Sequence, residues 1–293
     1  MASLFQQLQT FFSSQTFFPT NLLVFLPHSY KRVGHVAIIN LPDLLVPYTD
    51  VIGFQILSFL HPSIRTVARF VKPIGGVTRQ PSVEWLAGDT SFETVHTELG
   101  TKFVINPQEI MLSAGNHFER KRLIEFVTNL HSSDLVLLDM FSCIGNLTLP
   151  LIKNTTSCKF IFLEINPVAV RYLRKSLNVN KIDPTRYTIY EGDNRLTCPQ
   201  NVADIVIMGY FGIDEEQLRC AIKSLNVSKN DCWLFIHDTG FLNSESTVFN
   251  QFRTLVDQNP VWYLESFEKI IVKSIGPGVG HWVFQTHLRN TNL

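Results

Sequence analysis

No two cysteines in this chain stand at C-x-x-C spacing, and Cys143, Cys158, Cys198, Cys220 and Cys232 are odd in number. That excludes a disulfide framework and a structural zinc site, and it leaves reduced thiols as the expectation. Charge is sparse and balanced, with 25 Lys+Arg against 25 Asp+Glu and 17% charged residues in all. A general nucleic-acid binder of the histone kind is therefore excluded, whereas an enzyme with a local basic face is not. The first 28 residues contain no Asp, Glu, Lys or Arg. With no positive segment ahead of an apolar one, and no arginine, they are expected to be neither a signal peptide nor a mitochondrial transit peptide. The longest apolar run there, Leu22 to Leu26, is too short to span a bilayer, so a cytoplasmic protein is expected. Asn146, Asn154 and Asn226 sit in glycosylation sequons that read as chance matches. Internal repeats and low-complexity linkers are absent.

What is present is apolar. Hydrophobic residues make up 45% of 293, enough for a sizeable core and incompatible with intrinsic disorder. The length allows two modest domains or one large one. Residues 1–108 read as an N-terminal α+β domain. Val33 to Leu41, Thr66 to Val71, Phe92 to Glu98 and Lys102 to Ile105 are strand candidates, with a tight hairpin at Leu99-Gly100 and a loop at Gly75-Gly76. Tyr48 to Leu60 has helical spacing.

Residues 109–293 read as regular α/β. Phe118 to Leu130 is an amphipathic helix. The short apolar runs Leu135–Leu138, Phe160–Leu163, Tyr187–Tyr190, Ile205–Met208 and Trp233–Ile236 suit buried parallel strands. Helices are expected at Pro167 to Leu177, Asp214 to Leu225 and Ser246 to Val256, and two last strands at Val261 to Lys273 and Trp282 to Thr286. Strand and helix alternate, so the fold class is α/β, a doubly wound Rossmann-like sheet with a smaller N-terminal domain. Its ligand site is expected at the carboxyl ends of the strands.

An acidic residue stands at the carboxyl end of three consecutive strands: Asp139, Glu164 and, after Glu191-Gly192, Asp193. Each alone is an ordinary loop carboxylate or helix cap. Together they suit a nucleoside, with the second accepting from ribose hydroxyls and the third from an adenine amino group. Gly145, in the loop after the first strand, would let a ligand approach backbone amides. A dinucleotide enzyme would need G-x-G-x-x-G and a phosphate loop GK[ST], and neither occurs. A nucleoside ligand without phosphates fits better, which points to S-adenosylmethionine.

Several stretches carry a family resemblance: Asp139 to Pro150 (DMFSCIGNLTLP), Glu164-Ile165-Asn166-Pro167, Gly192-Asp193-Asn194-Arg195 and Val206-Ile207-Met208-Gly209-Tyr210. So do Ser113-Ala114-Gly115-Asn116 with Glu119, Arg120 and Arg122, and Arg32-Val33-Gly34-His35, Glu84 to Gly88 and Lys273 to Gly278. This combination resembles the enzymes that modify the guanosine 3′ of the anticodon in tRNA, namely the tRNA guanine-N1-methyltransferases and the wybutosine-synthesis aminocarboxypropyltransferases. The resemblance implies a class I S-adenosylmethionine-dependent transferase acting on tRNA, with the N-terminal domain touching the tRNA. It gives Ser113 and Arg120 as cofactor contacts, Arg120 suiting the methionine carboxylate. It places Glu164 on the ribose and Asp193 on the adenine, with Asp139 and Gly145 in the same pocket. Asn194 and Arg195 are candidates for the methionine arm or the incoming base. Arg120 and Asn194 are thus the catalytic candidates.

The methyltransferase branch usually has Asn-Leu-Pro after the fourth strand, where this chain has Gly209-Tyr210-Phe211. The stretch before the matched region is also expected to hold no extra N-terminal domain like that of the methyltransferases. Transfer of the 3-amino-3-carboxypropyl group to a tricyclic guanosine derivative in tRNA(Phe) is therefore expected, with guanine-N1 methylation as the alternative and a non-catalytic tRNA-binding partner subunit as the second. The family's first-strand loop has a second glycine where this chain has Cys143. If that position has φ > 0, cysteine costs on the order of 1 kcal/mol. Basic residues Lys31, Arg32, Arg65, Arg69, Lys72 and Arg79, and Arg171, Arg174 and Lys175 on one helix, read equally as phosphate contacts or as a solvated face. Tyr210 and Phe211 could stack on an extruded base or simply fill a strand end. No metal is expected.

Overall fold

The computed structural model describes residues 2–75, 80–130, 132 and 134–293. Arg79 and Gly76 of the expected Gly75-Gly76 loop lie outside the described residues. The chain divides into two compact units, Met1–Glu98 with Lys102–Leu112, and Leu99–Thr101 with Ser113–Leu293.

The first unit contains α1 (Leu4–Ser13), β1 (Lys31–Val33), β2 (Val36–Asn40), α2 (Thr49–Phe59), β3 (Thr66–Gly75), β4 (Gln80–Gly88), β5 (Thr94–Glu98) and β6 (Thr101–Ile105). Its four-stranded sheet runs β1-β2-β3-β4, with β2 and β3 parallel and α2 between them in the chain. The single strand expected from Val33 to Leu41 is instead a hairpin, broken by a turn at Gly34-His35. The charge-free N-terminus is structural. Ser3 and Gln6 form a reciprocal capping box at the start of α1, and Leu8, Phe12, Phe18 and Leu26 join the core of this unit. Leu99 and Gly100, both with positive φ, close the β5–β6 hairpin.

The second unit continues with α3 (His117–Asn129), β7 (Val136–Asp139), α4 (Leu149–Asn154), β8 (Lys159–Glu164), α5 (Pro167–Val179), β9 (Tyr187–Glu191) and α6 (Asn194–Thr197). It ends with β10 (Ile205–Met208), α7 (Glu215–Ser224), β11 (Asp231–Phe241), α8 (Thr247–Asp257), β12 (Trp262–Gly276) and β13 (Val279–Asn290). The sheet order is β12-β13-β11-β10-β7-β8-β9. The strands from β9 to β11 are parallel, and β13 pairs antiparallel with β11 and β12. All four residues of β10 are fully buried, as a central parallel strand covered on both faces requires. Five parallel carboxyl ends thus open on one edge, with β7 and β10 at the centre, where the chain order reverses.

Candidate functional site at the carboxyl ends of the central strands

Asp139 ends β7 and is almost fully buried. Its carboxylate accepts from the Phe141 amide at 3.1 Å and the Thr148 hydroxyl at 2.5 Å. Burial pushes its pKa up to about 6, against those two bonds. Asp139 therefore braces the loop from within. In that loop Cys143 has φ +52° and Gly145 φ +80°. Cysteine thus occupies a backbone conformation that L residues disfavour. A Cβ on Gly145 would fall 2.7 Å from Leu149 Cβ, so this glycine lets the loop close onto α4.

Glu164 ends β8 beside that loop. It accepts from the Cys143 amide at 2.6 Å and the Asn166 amide at 2.8 Å, and desolvation raises its pKa. One carboxylate thus ties the two strand-end loops together. Asn166 caps α5 by accepting from Val168 N, with Pro167 at the first turn.

Asp193 caps α6 and forms a short pair with Arg195, whose guanidinium also reaches Asp214 at 3.2 Å. That pairing lowers the Asp193 pKa and keeps it ionised. Arg195 is thereby engaged with carboxylates. Asn194 is buried, donates to the Met140 carbonyl at 2.8 Å and accepts from Gln217 at 3.1 Å. Both ends of its amide hold the loop after β7 against α7.

Arg120 projects from α3 and has no exposed surface. Its Nε donates to the Asn146 carbonyl at 2.5 Å and a terminal nitrogen to the Ser113 carbonyl at 2.8 Å. A buried guanidinium therefore joins the segment before α3 to the loop after β7. Lys273 on β12 donates to Asn116 at 3.0 Å, and burial followed by the Arg120 charge lowers its pKa. Asn146 Oδ1 is buried and has no hydrogen-bond partner. Two cations and a bare acceptor so converge on one end of the loop. The sequence reading missed Asn146 and Lys273 as site residues. The signal was their place inside matched segments, next to Gly145 and ahead of Gly276.

Past β10, Tyr210 stacks on Phe141 at 5.0 Å and packs on the core, and Phe211 meets His281 edge-on at 4.9 Å. The structure gathers Asp139, Gly145 and Glu164 with Arg120 and Ser113 around the β7 loop. Asp193 and Asn194 join from the β9 side. Among the described residues, no cluster of His, Cys, Asp or Glu could hold a metal, and no helix is long and apolar enough to cross a membrane.

Residues 94–259 match the TRM5/TYW2 methyltransferase domain and residues 15–91 the TYW2 N-terminal domain. The tRNA(Phe) (4-demethylwyosine(37)-C(7)) aminocarboxypropyltransferase of Pyrococcus horikoshii is 30% identical over 268 residues, covering 90% of this chain and 91% of that one. The crystal structure of P. horikoshii TYW2 in complex with MeSAdo superposes with a TM-score of 0.76 at 26% identity, over 97% of this chain and 99% of that one. M. jannaschii TYW2 in complex with AdoMet gives 0.67 at 25% identity, over 89% and 100%.

Proposed function

Because the chain belongs to the TRM5/TYW2 methyltransferase family, we propose that it transfers the 3-amino-3-carboxypropyl group of S-adenosylmethionine to C7 of 4-demethylwyosine at position 37 of tRNA(Phe). It is a transferase with the class I methyltransferase sheet. The observation that carries the reading is the buried Arg120, fixed by two backbone carbonyls at the end of the β7 loop beside Lys273 and the bare Asn146 Oδ1. The amino-acid arm of the cofactor is a zwitterion, and this end of the loop offers positive charge for a carboxylate and an acceptor for an ammonium. The residues present thus fit the group.

When bound, S-adenosylmethionine supplies a carbon already activated by the positive sulfur, with methylthioadenosine as the leaving group. The chain's own work is to hold and aim. Arg120 and Lys273 take the carboxylate and Asn146 the ammonium, so the α-carbon end of the arm is fixed by both of its charged groups. Glu164 takes the ribose hydroxyls with the lone pairs that its backbone amide donors leave unused. Asp193, kept ionised by Arg195, accepts from the adenine amino group. Asp139 and Asn194 brace the loop rather than touch ligand. Gly209-Tyr210-Phe211 lacks the Asn-Leu-Pro of the methylating branch, which supports carbon-chain transfer over methyl transfer.

The first unit is the expected tRNA contact. It holds a polar cavity of about 800 Å³ lined by Arg32, His35, Ser63, Arg65 and His96 among others. Arg65 already pairs with Asp89 and Arg69 with Glu84, which tempers the local positive charge. A cytoplasmic location accords with this substrate.

The test is the leaving nucleoside. Enzyme, S-adenosylmethionine and tRNA(Phe) carrying 4-demethylwyosine should release methylthioadenosine, read by mass spectrometry. Release of S-adenosylhomocysteine with a methylated guanosine would overturn the reading.

A further inference from the structure

A second polar cluster lies inside the same unit, and the roles above leave it unused. Glu119 on α3 is fully buried, and Arg122 donates to both of its carboxylate oxygens, at 2.7 and 2.8 Å. His237 on β11 is buried with its Nε2 3.7 Å from Glu119 Oε1. Its Nδ1 lies 2.8 Å from Nε2 of His281 on β13. The outer nitrogen, His281 Nδ1, is buried and has no hydrogen-bond partner. Carboxylate, imidazole and imidazole thus form a line across three elements. His237 Nε2 also makes no hydrogen bond, so Glu119 acts on it through charge at 3.7 Å, and the hydrogen-bonded part of the line is the imidazole pair.

The tautomers follow from the carboxylate. A proton on His237 Nε2 faces negative charge, and a lone pair there would be repelled. His237 Nδ1 is then bare and accepts from His281 Nε2–H. His281 Nδ1 is left as a lone pair inside the protein. The charged groups around the line are Glu119 and Arg122 of α3 and Lys273 of β12. Burial, His281, Arg122 and Lys273 hold His237 well below its ordinary pKa, while burial and Lys273 push His281 down to about 4. Both rings are neutral near pH 7, so the acceptor is available.

The line ends beside the transfer site. His281 is the cross-strand partner of Lys273, which donates to Asn116 in the segment that also meets Arg120. Phe211 meets His281, while its neighbour Tyr210 stacks on Phe141 of the β7 loop. One loop after β10 therefore touches both the cofactor loop and the histidine pair.

We propose that His281 Nδ1 accepts the proton that the substrate base loses on transfer, and that His237 takes up the His281 Nε2 proton, the resulting charge being stabilised by the Glu119 carboxylate. The proposal rests on the aminocarboxypropyl reading. In that reaction the C7 electron pair forms a bond to the γ-carbon, and the C–S bond breaks with its pair going to methylthioadenosine. C7 then carries both its hydrogen and the new chain. Loss of that hydrogen as a proton restores the ring. His281 Nδ1 takes it, and His281 Nε2 passes its proton to His237 Nδ1, which leaves His237 as an imidazolium facing Glu119. A carbon acid of this kind is strongly acidic, so a weak, neutral base suffices. Glu119, fully buried and clamped by Arg122, stabilises that cation by its charge and takes no proton. Phe211, which meets His281 edge-on, is the side chain that the base displaces.

The experiment pairs His281→Gln and His237→Gln with the wild type, each saturated with S-adenosylmethionine and tRNA(Phe) carrying 4-demethylwyosine. His281→Gln should lower the single-turnover rate by about 10²–10⁴-fold, the usual contribution of a general base. His237→Gln should lower it less and move the acid limb of the rate–pH profile. Calorimetric affinity for S-adenosylmethionine should match wild type while the rate falls, and a cooperative thermal transition shows that each variant is folded, which separates the relay from a structural role. Independently of turnover, ¹⁵N NMR of the wild type should show His281 Nδ1 unprotonated. A protonated Nδ1, or wild-type rates in both variants, overturns the relay alone. A wild-type enzyme that releases no methylthioadenosine overturns the function and the relay together.

Discussion

Replacing Asp139 by Asn isolates the cost of a buried charge at the first strand end. Asn keeps the shape. Its Oδ1 still accepts from the Phe141 amide, and its Nδ2 donates to Thr148 once that hydroxyl turns round. The folded-state pKa is raised from the ordinary 3.8 to about 6. Between those two values the native state binds more protons than the unfolded one, so stability falls as pH rises. The contribution is full below pH 4 and lost above pH 6. At 1.36 kcal/mol per pH unit, the whole span is ~3 kcal/mol, of which ~1.4 kcal/mol is lost between pH 5 and pH 8. Asn does not titrate. Urea unfolding of both proteins at pH 5 and pH 8 should therefore show the variant gaining on wild type by about that ~1.4 kcal/mol at the higher pH. A difference independent of pH would refute the reasoning, because it would mean that Asp139 is ionised without penalty.

Two further substitutions test the loop from its other side. Arg120→Lys keeps a charge but loses the planar fork whose separate nitrogens reach the Ser113 and Asn146 carbonyls; kcat should fall about a hundredfold, as for a misplacement of about 1 Å, with cofactor affinity changing much less. Turnover at the wild-type rate would remove Arg120 from the mechanism. Cys143→Gly relieves the positive φ but gives the unfolded chain more freedom, so a net gain of ~0.5–1 kcal/mol is expected in urea unfolding. A loss would mean that the thiol side chain holds the loop by packing.

The second unit was legible because its central strands β7, β8 and β10 carry short apolar runs followed by helix starts, so period and punctuation agree. Asp139 and Glu164 were legible for the same reason, each being the first polar residue after an apolar run, whereas Asp193 follows the half-exposed β9, which itself ends in Glu191, and was legible by its place after a strand and a glycine. The first unit was harder. β4 was missed because Gln80–Gly88 mixes Glu84 and Trp85 with apolar residues, and both are exposed in the structure. The charge-free first 28 residues gave no amphipathic contrast, although Ser3-x-x-Gln6 carried the capping box that starts α1.

The site was read least well where charge and burial conflict. Glu119-Arg120-Lys121-Arg122 looks like a solvated run, and part of it is: Lys121 pairs with Glu125 on the exposed side. Helical spacing separates the four. Residues three, four, seven and eight apart share a face, and Leu123 and Val127 mark the apolar one. Arg120 lies three and seven residues before them, Glu119 four and eight, and these two are the fully buried members of the run. Lys121 falls outside that stripe. A charged side chain on the apolar stripe must be compensated inside the protein. In this helix the compensation is two loop carbonyls for Arg120 and a clamping guanidinium for Glu119. Burial by periodicity, rather than charge by composition, therefore separates the residues of this run that build the site from those that solvate the helix.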